Sequence, residues 1–427
     1  MNKVLIIAYY FPPMGMGGVQ RTLKFAKYLK EFGWQPVVIT SSPKKYFAVD
    51  EYLLNEAIES GVIIERTGKG DFDVKKIITK TPNEFYVKLR SKLSQIFLVP
   101  DNKILWRKKA FKKINEIWKK YDGFDLVFST APPFTDFLIG LDVKEKYTVP
   151  LIIDYRDDWI DNQIGVKPPT FMHRSSNVSA EKKVLKKANK VITINRRIKE
   201  LIISRNSNLQ YNEVVIIPQG FDNEDFEKAR KSELPKTEKM RFTYSGNFYN
   251  YKNKVYFESI KLFFESYPHL LKEVEFCFIG SFPKEFHKLV AKLNIADKIN
   301  IVGYVDHIDC VKYLESSDVL FLMRINSRDR EFSAMGGSKV GEYIGSRKNI
   351  IANIPESHTK RELTKYEAIK FVEEESPAHI VRAMYEYYQL WKEDKMPKAN
   401  EAMVQQYDRR KLTYDLSVEF NQFIEID

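Results

Sequence analysis

Short runs of consecutive apolar and β-branched residues alternate along this chain with stretches whose apolar positions recur at three- and four-residue spacing. The first pattern is that of a strand buried on both faces, the second that of an amphipathic helix. In the first half the runs predict strands at Val4–Ala8, Pro36–Thr40, Val62–Glu65, Leu126–Ser129, Leu151–Asp154, Val191–Ile194 and Val214–Ile217. Helices fit between most of them, among them Gly18–Phe32, Phe134–Tyr147 and Asn177–Ala188. The second half repeats the scheme at Arg241–Tyr244, Glu275–Ile279, Ile299–Val302, Val319–Met323, Asn349–Ala352 and Ile369–Val372. Two helical patterns, Pro377–Lys392 and Lys398–Phe423, close the chain. Strands alternating with helices predict βαβ units and parallel sheets, hence an α/β fold of two doubly wound domains facing each other across a cleft. Pro218–Phe226 and the charged, strand-free Glu227–Lys239 form the expected linker.

A length of 427 residues agrees with two cores rather than one. With 44% hydrophobic and 30% charged residues the composition is that of a soluble globular protein. No apolar run approaches the ~20 residues that span a bilayer. Pro12, Pro13 and a helix follow the first apolar run where a signal peptide would carry its cleavage site. Cys277 and Cys310 are too few for a disulfide framework and lack metal-ligand spacing, so buried thiols in a reducing cytoplasm are expected.

The net charge of +12 is concentrated: residues 75–120 carry fourteen Lys and Arg against Glu84, Asp101 and Glu116. Between Ile104 and Tyr121 the apolar positions again recur at helical spacing, which predicts an amphipathic helix with a basic face. Such a face fits simple solvation over the core, docking on an anionic membrane surface, or polyanion binding by charge alone. No nucleic-acid recognition motif accompanies it.

The first strand leaves through Pro12-Pro13 and the glycines Gly15, Gly17 and Gly18 into a helix. Ligands of open parallel sheets lie beyond the carboxyl ends of strands, and a helix N-terminus offers unpaired N–H groups to an anion. A dinucleotide-binding oxidoreductase would require a third glycine where Gln20 stands.

Further motifs follow in order: Phe128-Ser-Thr-Ala-Pro-Pro133, Asp154-Tyr-Arg-Asp-Asp-Trp159, Ile217-Pro-Gln-Gly-Phe-Asp222, Tyr244-Ser-Gly-Asn247, Val302-Gly-Tyr304 and Gly337-Ser-Lys-Val-Gly-Glu-Tyr343. With the glycine-rich start, this ordered set resembles the GT-B-fold, retaining glycosyltransferases of the family 4 type, bacterial enzymes that use nucleotide sugars. The resemblance implies two Rossmann-like domains: an acceptor-binding domain, residues 1–218, and a nucleotide-sugar-binding domain, residues 219–397, with the C-terminal helix 398–427 packing back on the first. It implies a metal-independent hexosyltransferase without a cofactor, acting in surface-polysaccharide biosynthesis. Its partners would be a nucleoside diphosphate sugar, a lipid-linked or glycan acceptor, and an anionic membrane surface met by residues 75–120, with no nucleic acid. The enzyme would then be cytoplasmic and peripheral at the inner face of the membrane. A GT-B-fold epimerase shares the fold.

Departing diphosphate needs fixed positive charge and N–H dipoles. Lys252 stands at the family lysine, whereas the family arginine is replaced by Asn247, so a second cation must come from Lys254, Arg324, Arg328 or Lys339, with Arg324 and Lys339 foremost. Gly336, Gly337 and Ser338 lead into a helix at Val340–Ile344, and Glu342 matches the glutamate that takes the ribose hydroxyls. Ala334 replaces the family's sugar-contacting glutamate, leaving Glu331 the nearest acid. Arg156, Asp157 and Asp158 occupy the position of the family's His-Asp pair; Asp157 or Asp158 suits a proton acceptor, and an Arg–Asp pair capping the strand is the alternative. Gly17 and Gly18 complete the expected donor contacts, as Lys252 and Glu342 have surface-residue readings beside their functional ones.

Overall fold

The computed structural model describes residues 1–424 other than 44, 45, 47, 69–71, 78–97, 162–169, 247, 249–253, 326, 328, 335, 336 and 374. Seven apolar runs of the first half form β1 (Asn2–Ile7), β2 (Trp34–Ser41), β3 (Ile63–Thr67), β4 (Leu126–Ala131), β5 (Leu151–Tyr155), β6 (Lys190–Thr193) and β7 (Val214–Ile216). They pair in parallel in the order β3-β2-β1-β4-β5-β6-β7. The second half forms β8 (Met240–Ser245), β9 (Val274–Ile279), β10 (Ile299–Gly303), β11 (Val319–Met323), β12 (Asn349–Asn353) and β13 (Ile369–Phe371), parallel in the order β10-β9-β8-β11-β12-β13. Both are doubly wound, Rossmann-like sheets, because connections run outward in both directions from one interior pair of strands. That pair is β1/β4 in the first sheet and β8/β11 in the second.

The chain divides into residues 1–218 with 409–427, and residues 219–408. The first unit buries Val4, Ile6, Leu23, Phe128 and Ile152 together with Leu412, Leu416 and Phe420 of the returning helix Arg409–Asn421. That helix is further held by a hydrogen bond from Trp34 Nε1 to Asn421 Oδ1 at 2.9 Å. The second unit has an aromatic core in which Phe276, Phe242 and Phe321 stack across β9, β8 and β11 with centroids 5.3 and 5.8 Å apart. Such pairs contribute about 0.5–1.5 kcal/mol beyond their buried area.

Three expectations are corrected. The stretch after Pro218 is not a long linker: Asp222 caps a helix, Asn223–Arg230, whose Phe226 and Ala229 are buried in the second unit. The closing helical pattern is broken near Tyr407, and residues 398–408 stay with the second unit, where Met403 and Val404 are buried, so the return begins at Arg409. Cys277 is buried, but Cys310 is only half-buried, its Sγ 3.0 Å from Ser245 Oγ.

The basic segment is partly described. The helix Trp106–Lys120 buries Trp106, Ala110, Ile114 and Ile117 and leaves Lys108, Lys109 and Lys112 exposed; residues 78–97 lie outside the described residues. Among the described residues no helix is long and apolar enough to cross a membrane.

Candidate functional site

In the first unit the loops after β1, β4 and β5 are tied together by two arginines. Arg21, the fifth residue of the helix that Gly17 and Gly18 open, is fully buried and pairs with Asp154 near the end of β5: Nη2 donates to Oδ1 at 2.9 Å and Nε to Oδ2 at 3.1 Å. Thr130 Oγ1 donates to the same carboxylate at 2.8 Å, and Arg21 Nη1 to the Pro218 carbonyl at 2.8 Å. An acid in an otherwise apolar strand, Leu-Ile-Ile-Asp-Tyr, signals a buried partner, and that signal was available in the sequence.

Arg156 points its guanidinium at main-chain carbonyls, those of Gly18, Pro132 and Ala131. It acts as a buried strut between the β1, β4 and β5 loops, and burial draws its pKa down. Asp158 is engaged by Arg205, which also binds Asp161 and Glu181. Asp157 is half-buried and accepts no hydrogen bond among the described residues; desolvation raises its pKa against the pull of Arg156. Gly17 and Gly18 are the first residues of the helix Gly17–Tyr28, Gly18 exposed, with no side-chain cap on their amides. Asp136, at the start of the helix Thr135–Tyr147, accepts the Tyr9 N–H at 2.8 Å. Its other oxygen has no partner among the described residues, and complete burial pushes its pKa well above the usual carboxylate range.

In the second unit β8, β9 and β10 lead into or end on glycines with positive φ: Gly246 (131°), Gly280 (115°) and Gly303 (87°). A Cβ on Gly280 would collide with the carbonyl of Gly246, so the first two loops approach main chain to main chain. A Cβ on Gly246 would lie 3.0 Å from both Cε and Nζ of Lys339. Lys339 opens the helix Lys339–Ser346, donates to Tyr244 OH at 2.8 Å and lies over the Tyr244 ring at 4.4 Å. Desolvation lowers its pKa to about 7, with Glu342 opposing the shift. Glu342, in the first turn of the same helix, is buried with Oε1 3.7 Å from His307 Nδ1.

The other expected cations separate. Arg324, at the end of β11, is buried and paired with Glu375 at 2.8 Å. Lys254 is an exposed partner of Glu258. Glu331 accepts the His358 N–H with both oxygens at 3.1 Å, so it serves a helix start. Ser338 precedes Lys339 and Gly337 has φ 68°. Asn247, Lys252, Arg328 and Gly336 lie outside the described residues. Sequence reasoning missed Tyr244 as the partner of Lys339 and His307 as the neighbour of Glu342; contacts across 95 and 35 residues leave no spacing signature.

Residues 225–402 match the family described as Glycosyl transferases group 1. No curated protein matches the chain. Among solved structures, a glycosyltransferase from Rickettsia africae ESF-5 is 16% identical over 100% of this chain and 99% of its own, with a TM-score of 0.63. Sucrose-phosphate synthase from Thermosynechococcus elongatus is 13% identical, covers 99% of each chain and has a TM-score of 0.65. A UDP-GlcNAc 2-epimerase from Neisseria meningitidis bound to UDP-GlcNAc is 10% identical over 98% of this chain and 99% of its own, at a TM-score of 0.56. At these identities the likeness is one of fold. The chain has the two Rossmann-like sheets of the GT-B type, and the stretch of its second unit at residues 225–402 is similar to the glycosyl transferases group 1 family.

Proposed function

We propose that the chain is a retaining, metal-independent glycosyltransferase that moves a sugar from a nucleoside diphosphate sugar to a lipid-linked or glycan acceptor in surface-polysaccharide synthesis. The observation that carries the reading is the β8 end: a glycine turn, Gly246, against a buried lysine, Lys339, on the helix that bears Glu342. A lysine whose charge is opposed by desolvation gains most from an incoming dianion. It is the second cation, in addition to Lys252, that Asn247 in place of the family arginine calls for; Arg324 already spends one donor on Glu375. Gly336, Gly337 and Ser338 lead to the amides of that helix start, and Glu342 takes the ribose hydroxyls. On the acceptor side, Gly17 and Gly18 offer N–H groups, Asp157 orients the acceptor hydroxyl, and Arg156 and Asp158 hold the loop that carries it.

In the reaction the acceptor oxygen bonds to the anomeric carbon on the face from which the diphosphate leaves, the carbon–phosphate oxygen bond breaks, and the acceptor's proton passes to the leaving phosphate. No protein nucleophile is required. The exposed Leu105, Lys108, Lys109 and Lys112 suit contact with an anionic bilayer.

Thermal shift against UDP-, GDP- and dTDP-sugars, with a CMP-sugar as the monophosphate contrast, tests the donor: saturation at a hundred times the dissociation constant stabilises by about 2.7 kcal/mol. Stabilisation by none of them, with no hydrolysis of any, would refute the reading. Flotation with liposomes tests docking; binding indifferent to lipid charge and salt would remove the membrane from it. The alternatives of epimerase and oxidoreductase predict an epimerised sugar nucleotide or a bound cofactor's absorbance.

A further inference from the structure

The helix that follows β10, His307–Glu315, sets its first side chain between carboxylates from two other helices. His307 Nε2 lies 3.0 Å from Oδ2 of Asp225, on Asn223–Arg230, and Nδ1 lies 3.7 Å from Oε1 of Glu342, on Lys339–Ser346. All three side chains are buried, Asp225 at 1%, His307 at 8% and Glu342 at 9% exposure. A neutral imidazole has a single N–H, so both carboxylates are served together only by the doubly protonated ring. A glutamate side chain is otherwise free about three bonds, and a ligand that must order it loses affinity. A ring anchored by Asp225 on one side and lying 3.7 Å from Glu342 on the other restricts that freedom beforehand.

We propose that His307, seated by Asp225, is a positioning residue that holds the Glu342 carboxylate toward the ribose diol of the donor. The inference rests on the assignment of Glu342 to the ribose. It predicts that His307 governs discrimination between nucleotides that possess the diol and those that lack it, a property that a role in folding alone would leave unchanged.

The test is titration calorimetry on the full chain with UDP, GDP and ADP, each beside its 2′,3′-dideoxy counterpart. The ratio of dideoxy to ribo dissociation constants, for whichever base binds, reports the Glu342 contact. Glu342→Ala should bring this ratio to about one. His307→Gln keeps a donor for Asp225 and removes the ring from Glu342, and should lower the ratio about tenfold, the scale of losing one buried close contact between a ring nitrogen and a carboxylate. Dideoxy binding should stay within about twofold. Asp225→Asn leaves the ring in place and should lower the ratio in the same direction, which keeps the question answerable if His307→Gln folds poorly. If Glu342→Ala abolishes the discrimination while both other variants retain it, His307 is not a positioning residue. An unchanged ratio in Glu342→Ala, or no binding of any of the three nucleotides, overturns the ribose assignment and the inference with it.

Discussion

Each of the two sheets holds a desolvated ionisable group near its switch point, and the two groups have opposite sign. Beside β1 and β4 it is Asp136, walled in completely and pushed toward its neutral acid form. Beside β8 and β11 it is Lys339, pushed toward its neutral amine with a pKa of about 7. Their surroundings differ as well. In the first unit the arginines are already committed to internal partners: Arg21 to Asp154 and Pro218, Arg156 to three carbonyls. In the second unit the buried cation sits on a phenol and against a glycine turn, the place we propose for the donor's diphosphate. The first edge ties its loops together with committed arginines; the second holds a lysine whose charge is opposed by burial.

The comparison breaks most decisively at Arg21. Removing one partner of a buried ion pair costs about 3–5 kcal/mol because the other charge is left alone. Arg21→Ala should therefore unfold the first unit at a markedly lower urea concentration; a midpoint within error of the native chain would show that the pair does not hold these loops. Gly280→Ala should come next, at about 2–3 kcal/mol, because positive φ and a backbone collision combine. Unlike Arg21→Ala, it should also weaken nucleoside diphosphate binding by distorting the Gly246 turn. Loss of stability without loss of binding would separate that turn from the donor site.

Lys339→Met sharpens the contrast of sign. Between pH 7 and the unfolded value near 10.4, the unfolded chain holds a proton that native Lys339 has released, so native stability rises with pH across that window. The methionine variant should lose this rise and be the more stable protein at pH 6. Its binding of the preferred nucleoside diphosphate should be about 10–100-fold weaker, as expected for a charge-assisted contact. Native binding should weaken as pH rises through 7 to 8 and take up a proton, seen as a buffer-dependent calorimetric enthalpy. Binding without proton uptake would remove Lys339 from the diphosphate.

The strands were legible because buried parallel strands read as continuous apolar runs; the β11 bounds Val319–Met323 and the helix Pro377–Lys392 agree with their patterns to the residue. The helix Asn223–Arg230 was hidden because its charged surface outweighs Phe226 and Ala229, the two apolar positions that it buries. Glu342 and Lys339 were visible in a local motif. Their partners were not, since Tyr244 and His307 reach them through the sheet's tertiary order rather than through neighbouring sequence. The strut role of Arg156 was not legible, because a ligand-facing arginine and a strut share one residue type; the main-chain carbonyls around it distinguish them.

Asp136→Asn is the mildest and closest counterpart to Lys339→Met. Asparagine keeps an oxygen to accept the Tyr9 N–H and replaces the acid hydroxyl with a neutral amide. Unfolded aspartate releases its proton near pH 3.9, whereas native Asp136 holds on to it to a higher pH. Across that interval the native state binds more protons than the unfolded one, so native stability falls as pH rises, the reverse of Lys339. The variant should match the native chain near pH 4 and exceed it by about 1 kcal/mol at pH 8, the low end of the cost of a buried polar group without a full set of partners. Urea midpoints at the two pH values measure the difference. A variant less stable at pH 8 would mean that the Asp136 carboxylate is charged and satisfied in the native protein, and the two edges would then differ in architecture without opposing each other in charge.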